Sequence, residues 1–253
     1  MSREVDTAVL THDRLLAGRV IFDQPAEGYR AAIDPVLMAA AVPVRPGETI
    51  LDLGSGAGAA SLCLAVRIPG CTVIGVERDA ALVAIANANA LANDLAGRVR
   101  FVVGDVRDSL SELDGMTFDH AMANPPYLEP ARADLRGPSS SRHREATVES
   151  DADLDDWIQA LCRSVKRKGR ITLIQRADRL ADILTALRPR AGDVTILPLW
   201  PKAGRAARRV IVSARPGTAA PLRLLNGFVL HNEDGEFSSA ADAILNDAAA
   251  LRL

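Results

Sequence analysis

The chain has 253 residues, 48% of them hydrophobic and 25% charged, with a formal net charge of −2, which fits one large globular domain or one domain with a small appendage. No window reaches the ~18 consecutive apolar residues of a membrane span, and the opening MSREVDTAVLTHDR lacks the charged-then-apolar order of a secretory leader, so a cytoplasmic protein is expected. Cys63, Cys71, Cys162 and the four histidines have no metal-ligand spacing; no metal site is expected, and the cysteines read as small buried hydrophobes in a reducing compartment.

Residues 1–46 precede the first clear repeat of strand and helix. From Pro46-Gly47 onward short apolar runs alternate with helical stretches, the pattern of βα units. Strands are predicted at Thr49–Leu53, Thr72–Glu77, Val99–Val103 and Phe118–Ala123. A first helix runs to about Arg67. A second is capped by Asp79 and reaches about Asn93, with Leu82, Val83, Ile85, Ala86 and Leu91 at helical spacing. Residues 128–150 are polar and lack either period, which predicts a long mobile substrate loop. Leu154 to Val165 carries an apolar stripe and reads as a helix. Gly169-Arg170 is predicted to turn into a strand at Ile171–Ile174, followed by a helix over about Ala177–Leu187. Val194–Leu199 and Arg209–Ala214 read as an antiparallel pair at the sheet edge. Residues 216–253 form a small C-terminal extension with a helix from about Ser238. The whole is predicted to be α/β: a doubly wound, mostly parallel seven-stranded sheet over 47–215 with an antiparallel edge strand.

The first chemical motif is Asp52-Leu53-Gly54-Ser55-Gly56-Ala57-Gly58, between a strand and a helix. Glycines there let the backbone turn tightly and approach a ligand, and the helix start offers free N–H groups. Glu77 follows at the end of the next strand, where a carboxylate can hold two ribose hydroxyls. Gly54, Gly56 and Ala59 also satisfy the relaxed dinucleotide pattern G-x-G-x-x-G/A, so two nucleotide-like ligand classes remain open on these residues. Asp52 and Gly58, however, resemble the Asp/Glu-x-Gly-x-Gly-x-Gly loop of class I S-adenosylmethionine-dependent methyltransferases, whose sheet is Rossmann-like. That resemblance implies an S-adenosylmethionine pocket with Asp52, Gly54, Ser55, Gly56 and Gly58 in the loop, Glu77 and Arg78 after the second strand, Asp105 and Val106 after the third, and Asn124 after the fourth.

Asn124-Pro125-Pro126-Tyr127 follows the fourth strand and resembles the (Asp/Asn)-Pro-Pro-(Tyr/Phe) motif of enzymes that methylate planar amide or amino nitrogens. The chemistry can be stated in physical terms. An exocyclic amine conjugated to a ring is a poor nucleophile. Two oxygens that accept from its NH₂, the Asn124 side chain and the Pro125 carbonyl, favour a pyramidal nitrogen whose lone pair faces the methyl donor. The prolines fix the backbone, and Tyr127 supplies a stacking face. Alignment is then the main catalytic contribution and no general base is required.

From about residue 14 onward the chain is similar to the bacterial tRNA(Val) (adenine-N6)-methyltransferases. The likeness runs through Phe22-Asp23-Gln24-Pro25, Gly28–Leu37, the Asn-Pro-Pro-Tyr motif, and PLWPKAGRAARRVIVSARPG. It implies that residues 1–46 are an N-terminal entrance segment or lid, that Tyr29, Arg30 and Asp34 lie by the cofactor, and that the substrate is an anticodon-loop adenosine of a tRNA. The glutamine methyltransferases of release factors share the motif, but they carry a helical domain ahead of the Gly loop, for which 51 residues leave little room; a small-molecule acceptor is the other alternative. Residues 1–159 hold 14 basic and 24 acidic side chains, whereas 160–215 hold 14 basic and 3 acidic. Arg132, Arg136, Arg142 and Arg144 in the loop, with Lys202, Arg205, Arg208 and Arg209, could hold RNA phosphates. A monomer or weak homodimer is expected.

Overall fold

In the computed structural model, which describes residues 9–27, 30–108, 113, 115–126 and 152–253, five parallel strands form the centre. They are β3 (Thr49–Leu53), β4 (Thr72–Glu77), β5 (Val99–Val103), β6 (Phe118–Ala123) and β7 (Val165–Arg176), in the order β5-β4-β3-β6-β7. β3 and β4 are almost wholly buried, because helices cover both faces; this is why they read as continuous apolar runs rather than alternating ones. One face is covered by α1 (Ile33–Ala41), α2 (Ala59–Arg67) and α3 (Ala80–Ala92), the other by α4 (Leu154–Ser164) and α5 (Leu180–Leu187). The predicted doubly wound sheet is what forms.

Three expectations are corrected. The antiparallel strand, β9 (Arg209–Pro216), lies inside the sheet between β7 and β8 (Ala191–Lys202) rather than at its edge. The 12-residue β8 leaves a free side, on which β10 (Arg223–Leu224) and β11 (Phe228–His231) add in parallel, giving nine strands. Second, β7 begins at Val165 rather than Ile171, directly after α4, and the change of direction expected at Gly169 is a bulge inside the strand, with Lys168 at φ +72°. A Cβ at Gly169 would meet the Lys166 and Asp119 carbonyl oxygens at 2.8 and 2.9 Å, so this glycine marks a close backbone approach beside the β6–β7 register shift. Third, Leu91 is 70% exposed. The buried face of α3 is Val83, Ala86, Asn89 and Ala90, with an asparagine where a leucine was expected.

That asparagine anchors an unpredicted hairpin. β1 (Leu10–Leu15) and β2 (Val20–Pro25) pair antiparallel, and α3 holds β2 through side chains that mimic a neighbouring strand. Asn89 accepts from Asp23 N at 2.9 Å and donates to Asp23 O at 2.8 Å; Asn93 does the same to Ile21 at 2.8 and 2.7 Å. Several ends are tied by specific contacts. The Asp153 side chain and Asp156 form a reciprocal capping box at α4. Arg67 donates to the Ala39 and Val42 carbonyls at 2.8 and 2.7 Å, closing the C-terminus of α1. Beyond α6 (Ser239–Asp247), Leu251 N donates to Ala40 O, so the extension packs back onto α1. Among the described residues, no helix is long and apolar enough to cross a membrane.

Candidate active site

The site sits at the carboxyl ends of the parallel strands, where open α/β sheets place ligands. Leu53 pairs with Val76 on one side and Ala123 on the other. The Gly loop and Asn124 therefore leave neighbouring strands at the same level, one strand spacing of about 4.8 Å apart. Gly54 N and Ser55 N donate to Val76 O at 2.8 and 3.1 Å, which folds the loop across the end of β4.

The glycines divide by what surrounds them. Gly54 and Gly58 have φ of +68° and +93°, and a Cβ would lie 2.5 Å from the Trp157 ring or 2.6 Å from Phe101. Both are fixed by packing. Gly56, at φ +54°, has nothing within 4 Å of its Cβ position and faces open space, as a glycine that admits a ligand must. The Ser55 hydroxyl is buried and has no hydrogen-bond partner among the described residues, a polar atom awaiting one.

Two carboxylates flank this loop. Glu77 accepts from Gly56 N at 3.0 Å and Asp79 N at 3.1 Å; a carboxylate with about four lone-pair sites keeps capacity for hydroxyl donors. Burial raises its pKa, against those backbone bonds. Asp52 is buried and accepts from Ser61 Oγ at 2.7 Å. Burial, reinforced by repulsion from Glu77, pushes its pKa up to about 7. These groups fit the glycine cradle, hydroxyl acceptor and carboxylate pair that S-adenosylmethionine calls for.

The other predicted residues fall variously. Asp105 is engaged with Arg107, which donates from its backbone N, Nε and Nη2 at 2.9, 3.1 and 3.1 Å and keeps the Asp105 carboxyl below its ordinary range. Arg78 is exposed beside it and lowers that pKa further; Val106 is half-buried in the following turn. Arg30 pairs with Asp13 at 2.8 Å and Asp34 with Arg209 at 2.9 Å, so both join elements of the fold. Tyr29, Tyr127, Arg132, Arg136, Arg142, Arg144 and the predicted loop 128–150 lie outside the described residues.

Asn124 and Pro126 are half-buried and Pro125 buried at the end of β6. Lys202 closes β8, and Arg205 and Arg208 lie on the β8–β9 connection, at the same end of the sheet because β8 runs parallel to β7. Lys202 Nζ donates to Glu233 O at 2.8 Å, and Arg205 and Arg208 are exposed. Sequence reasoning missed Gln175, whose Nε2 lies 3.3 Å from Pro125 O and 3.1 Å from Pro126 O. The available signal was a glutamine closing the buried run Ile171-Thr-Leu-Ile. Also missed was Asn89, which donates to Ala57 O at 3.0 Å and so ties the hairpin to the Gly loop.

Fold and site together define an S-adenosylmethionine-dependent methyltransferase. The methyltransferase small domain family matches residues 33–136. The chain is 29% identical over 234 residues to a tRNA1(Val) (adenine(37)-N6)-methyltransferase of Porphyromonas gingivalis, covering 87% of this chain and 88% of that one. It is 30% identical over 188 residues to the protein of the same name in Actinobacillus succinogenes, covering 73% and 75%. A solved structure described as a predicted O-methyltransferase from Agrobacterium tumefaciens superposes with a TM-score of 0.72 at 26% identity, over 87% of this chain and 99% of the other. The chain belongs to the tRNA1(Val) (adenine(37)-N6)-methyltransferase family.

Proposed function

We propose that this chain methylates N6 of an anticodon-loop adenosine in a tRNA, adenosine 37 of a valine tRNA by the names of its relatives. The observation that carries the chemistry is the placement of Asn124-Pro125-Pro126 directly beside the Gly loop, with the Pro125 and Pro126 carbonyls held by one buried amide. Gly54, Ser55, Gly56, Gly58, Asp52 and Glu77 hold the cofactor, with Arg78, Asp105 and Val106 beside them. Bound there, S-adenosylmethionine supplies an electrophilic methyl group on a sulfonium.

The protein's own part is to orient the acceptor. Asn124 Oδ1 and Pro125 O accept from the exocyclic NH₂, draw the nitrogen out of conjugation, and fix its lone pair toward the methyl donor. The two prolines keep these acceptors from relaxing. Tyr127 stacks on the base. Lys202, Arg205 and Arg208 lie at the same end of the molecule and grip backbone phosphates with Arg132, Arg136, Arg142 and Arg144. The protein works in the cytoplasm as a monomer or weak homodimer.

The test is methyl transfer from labelled S-adenosylmethionine to unmodified tRNA, followed by nucleoside mass spectrometry. Labelled N6-methyladenosine is the expected product. Cofactor binding without label in tRNA would move the acceptor to a protein glutamine amide or a small molecule, since both offer the same planar nitrogen.

A further inference from the structure

Gln175 is fully buried near the end of β7. Ala123 pairs with Leu173 across β6 and β7, so two residues further along Gln175 stands level with Pro125. The ladder between these strands stops there, because neither proline has an N–H to donate. On its other side the strand continues to pair, Gln175 with Val210 of β9. The side-chain amide replaces the missing ladder: Nε2 lies 3.3 Å from Pro125 O and 3.1 Å from Pro126 O, while Oε1 accepts from Arg176 N at 2.9 Å. A primary amide has two hydrogens, one for each carbonyl.

The geometry of proline gives this contact its leverage. The ring fixes φ of Pro125 near −65°, and the following proline narrows its ψ to extended values. What remains free is a small rotation of the peptide plane that carries the Pro125 carbonyl, and Gln175 restrains it. A carbonyl oxygen has two lone pairs, so donation from Gln175 leaves one for a second donor in a set direction.

We propose that Gln175 is a positioning residue for methyl transfer: its amide fixes the Pro125 and Pro126 carbonyls so that Pro125 O accepts from the acceptor NH₂ in one orientation. This rests on the reading of Pro125 O as an acceptor for the substrate amine. Gln175 touches neither substrate nor cofactor in this role and acts through the backbone it holds.

The test compares Gln175→Met, which keeps length and loses the donor, with Gln175→Glu, which keeps shape and donates only when protonated. For Gln175→Met, kcat falls about tenfold to a hundredfold, the effect of a small misplacement of reacting groups, while KM and Kd for S-adenosylmethionine stay within about twofold. For Gln175→Glu, a buried carboxyl facing two carbonyl oxygens takes up a proton readily. Its kcat relative to wild type is low near pH 8 and recovers toward about pH 6. A purely structural role would not produce that recovery.

Wild-type kcat in Gln175→Met, or loss of cofactor affinity in step with kcat, overturns the proposal. So does a Gln175→Glu to wild-type ratio that does not change with pH. Should both variants fail to fold, side-chain amide exchange of Gln175 in the wild-type protein decides: slow exchange is expected, and exchange as fast as that of exposed glutamines overturns it. The product formed by the wild type judges the functional reading separately, because the ratios report on Gln175 whichever planar nitrogen receives the methyl group.

Discussion

Asp52 and Asn124 lie near the carboxyl ends of neighbouring strands, Asp52 level with Met122 and Asn124 two residues further on, and burial gives them different work. Asn124 is neutral and half-buried, suited to accepting from an amine without a proton changing hands. Asn124→Ala removes one of two acceptors and leaves the Gly loop intact. The expected result is a fall in kcat of about 10²-fold or more, in the range for removing one preorganised polar partner of a transition state. Cofactor affinity by calorimetry stays unchanged, and a variant retaining most of its turnover would contradict the mechanism. Asp52, buried and pushed up to about 7, imposes a pH dependence on stability. Between its ordinary value of 3.8 and about 7 the folded protein holds a proton that the unfolded chain has released. Stability contributed by this group is therefore present at low pH and is lost as pH rises through about 7. Asp52→Asn preserves an acceptor for Ser61 Oγ and removes the titration. Melting temperatures measured from about pH 5 to about pH 8 should show wild type losing ground to the variant as pH rises; a constant difference would mean that Asp52 is not protonated in the folded state.

The elements show what a sequence discloses and what it withholds. β3, β4, β5 and β6 were legible because each is a short apolar run closed by a turn signal, and their strand ends carry the motifs, so the Gly loop and Asn124 fell where expected. The hairpin β1–β2 was not legible. Leu10–Leu15 reads LTHDRL, with no strong apolar alternation, and β2 is held by Asn89 and Asn93, which lie 66 to 72 residues away. Long-range side-chain pairing of this kind leaves no local period. Gly169 marked a break in regularity but not the start of the strand: the bulge at Lys168 and Gly169 lies inside β7, where the glycine also allows two backbones to approach. Gln175 was missed because its partners are main-chain carbonyls, which are invisible in a side-chain pattern. The asparagine clamp carries its own prediction. Asn89→Ala removes the bonds to Asp23 N, Asp23 O and Ala57 O and leaves buried backbone groups unpaired, at a cost of about 1–3 kcal/mol. Amide exchange should quicken in β1–β2 and around Ala57 before it does in β3 or β6. Uniform quickening across the sheet would show that Asn89 supports the whole fold rather than this junction.

At the scale of the molecule, charge is sorted by the direction of the strands. The basic excess of residues 160–215 looks like one patch in the sequence, but the sheet sends it to two poles. Lys166, Arg167 and Lys168 are exposed at the start of β7, the end remote from the Gly loop, where Lys166 pairs with Asp119 at 2.9 Å. Lys202, Arg205 and Arg208 lie at the other end, the end of the sheet that carries the Gly loop, around the passage from β8 to β9. A tRNA whose anticodon loop enters at the carboxyl ends of the strands meets only the second group. Each phosphate contact adds about 0.9 to the magnitude of the slope of log K against log salt on duplex and about 0.7 on single strands. Arg205→Ala and Arg208→Ala should each lower that slope by roughly this amount, measured as binding of unmodified tRNA between about 50 and 200 mM salt. Arg167→Ala and Lys168→Ala change total charge equally but should leave the slope as it was, which separates local contact from general attraction. Equal effects at both poles would mean that RNA is held by the diffuse field of the molecule. Binding indifferent to salt would point to a neutral acceptor and return the choice to a protein amide or a small molecule.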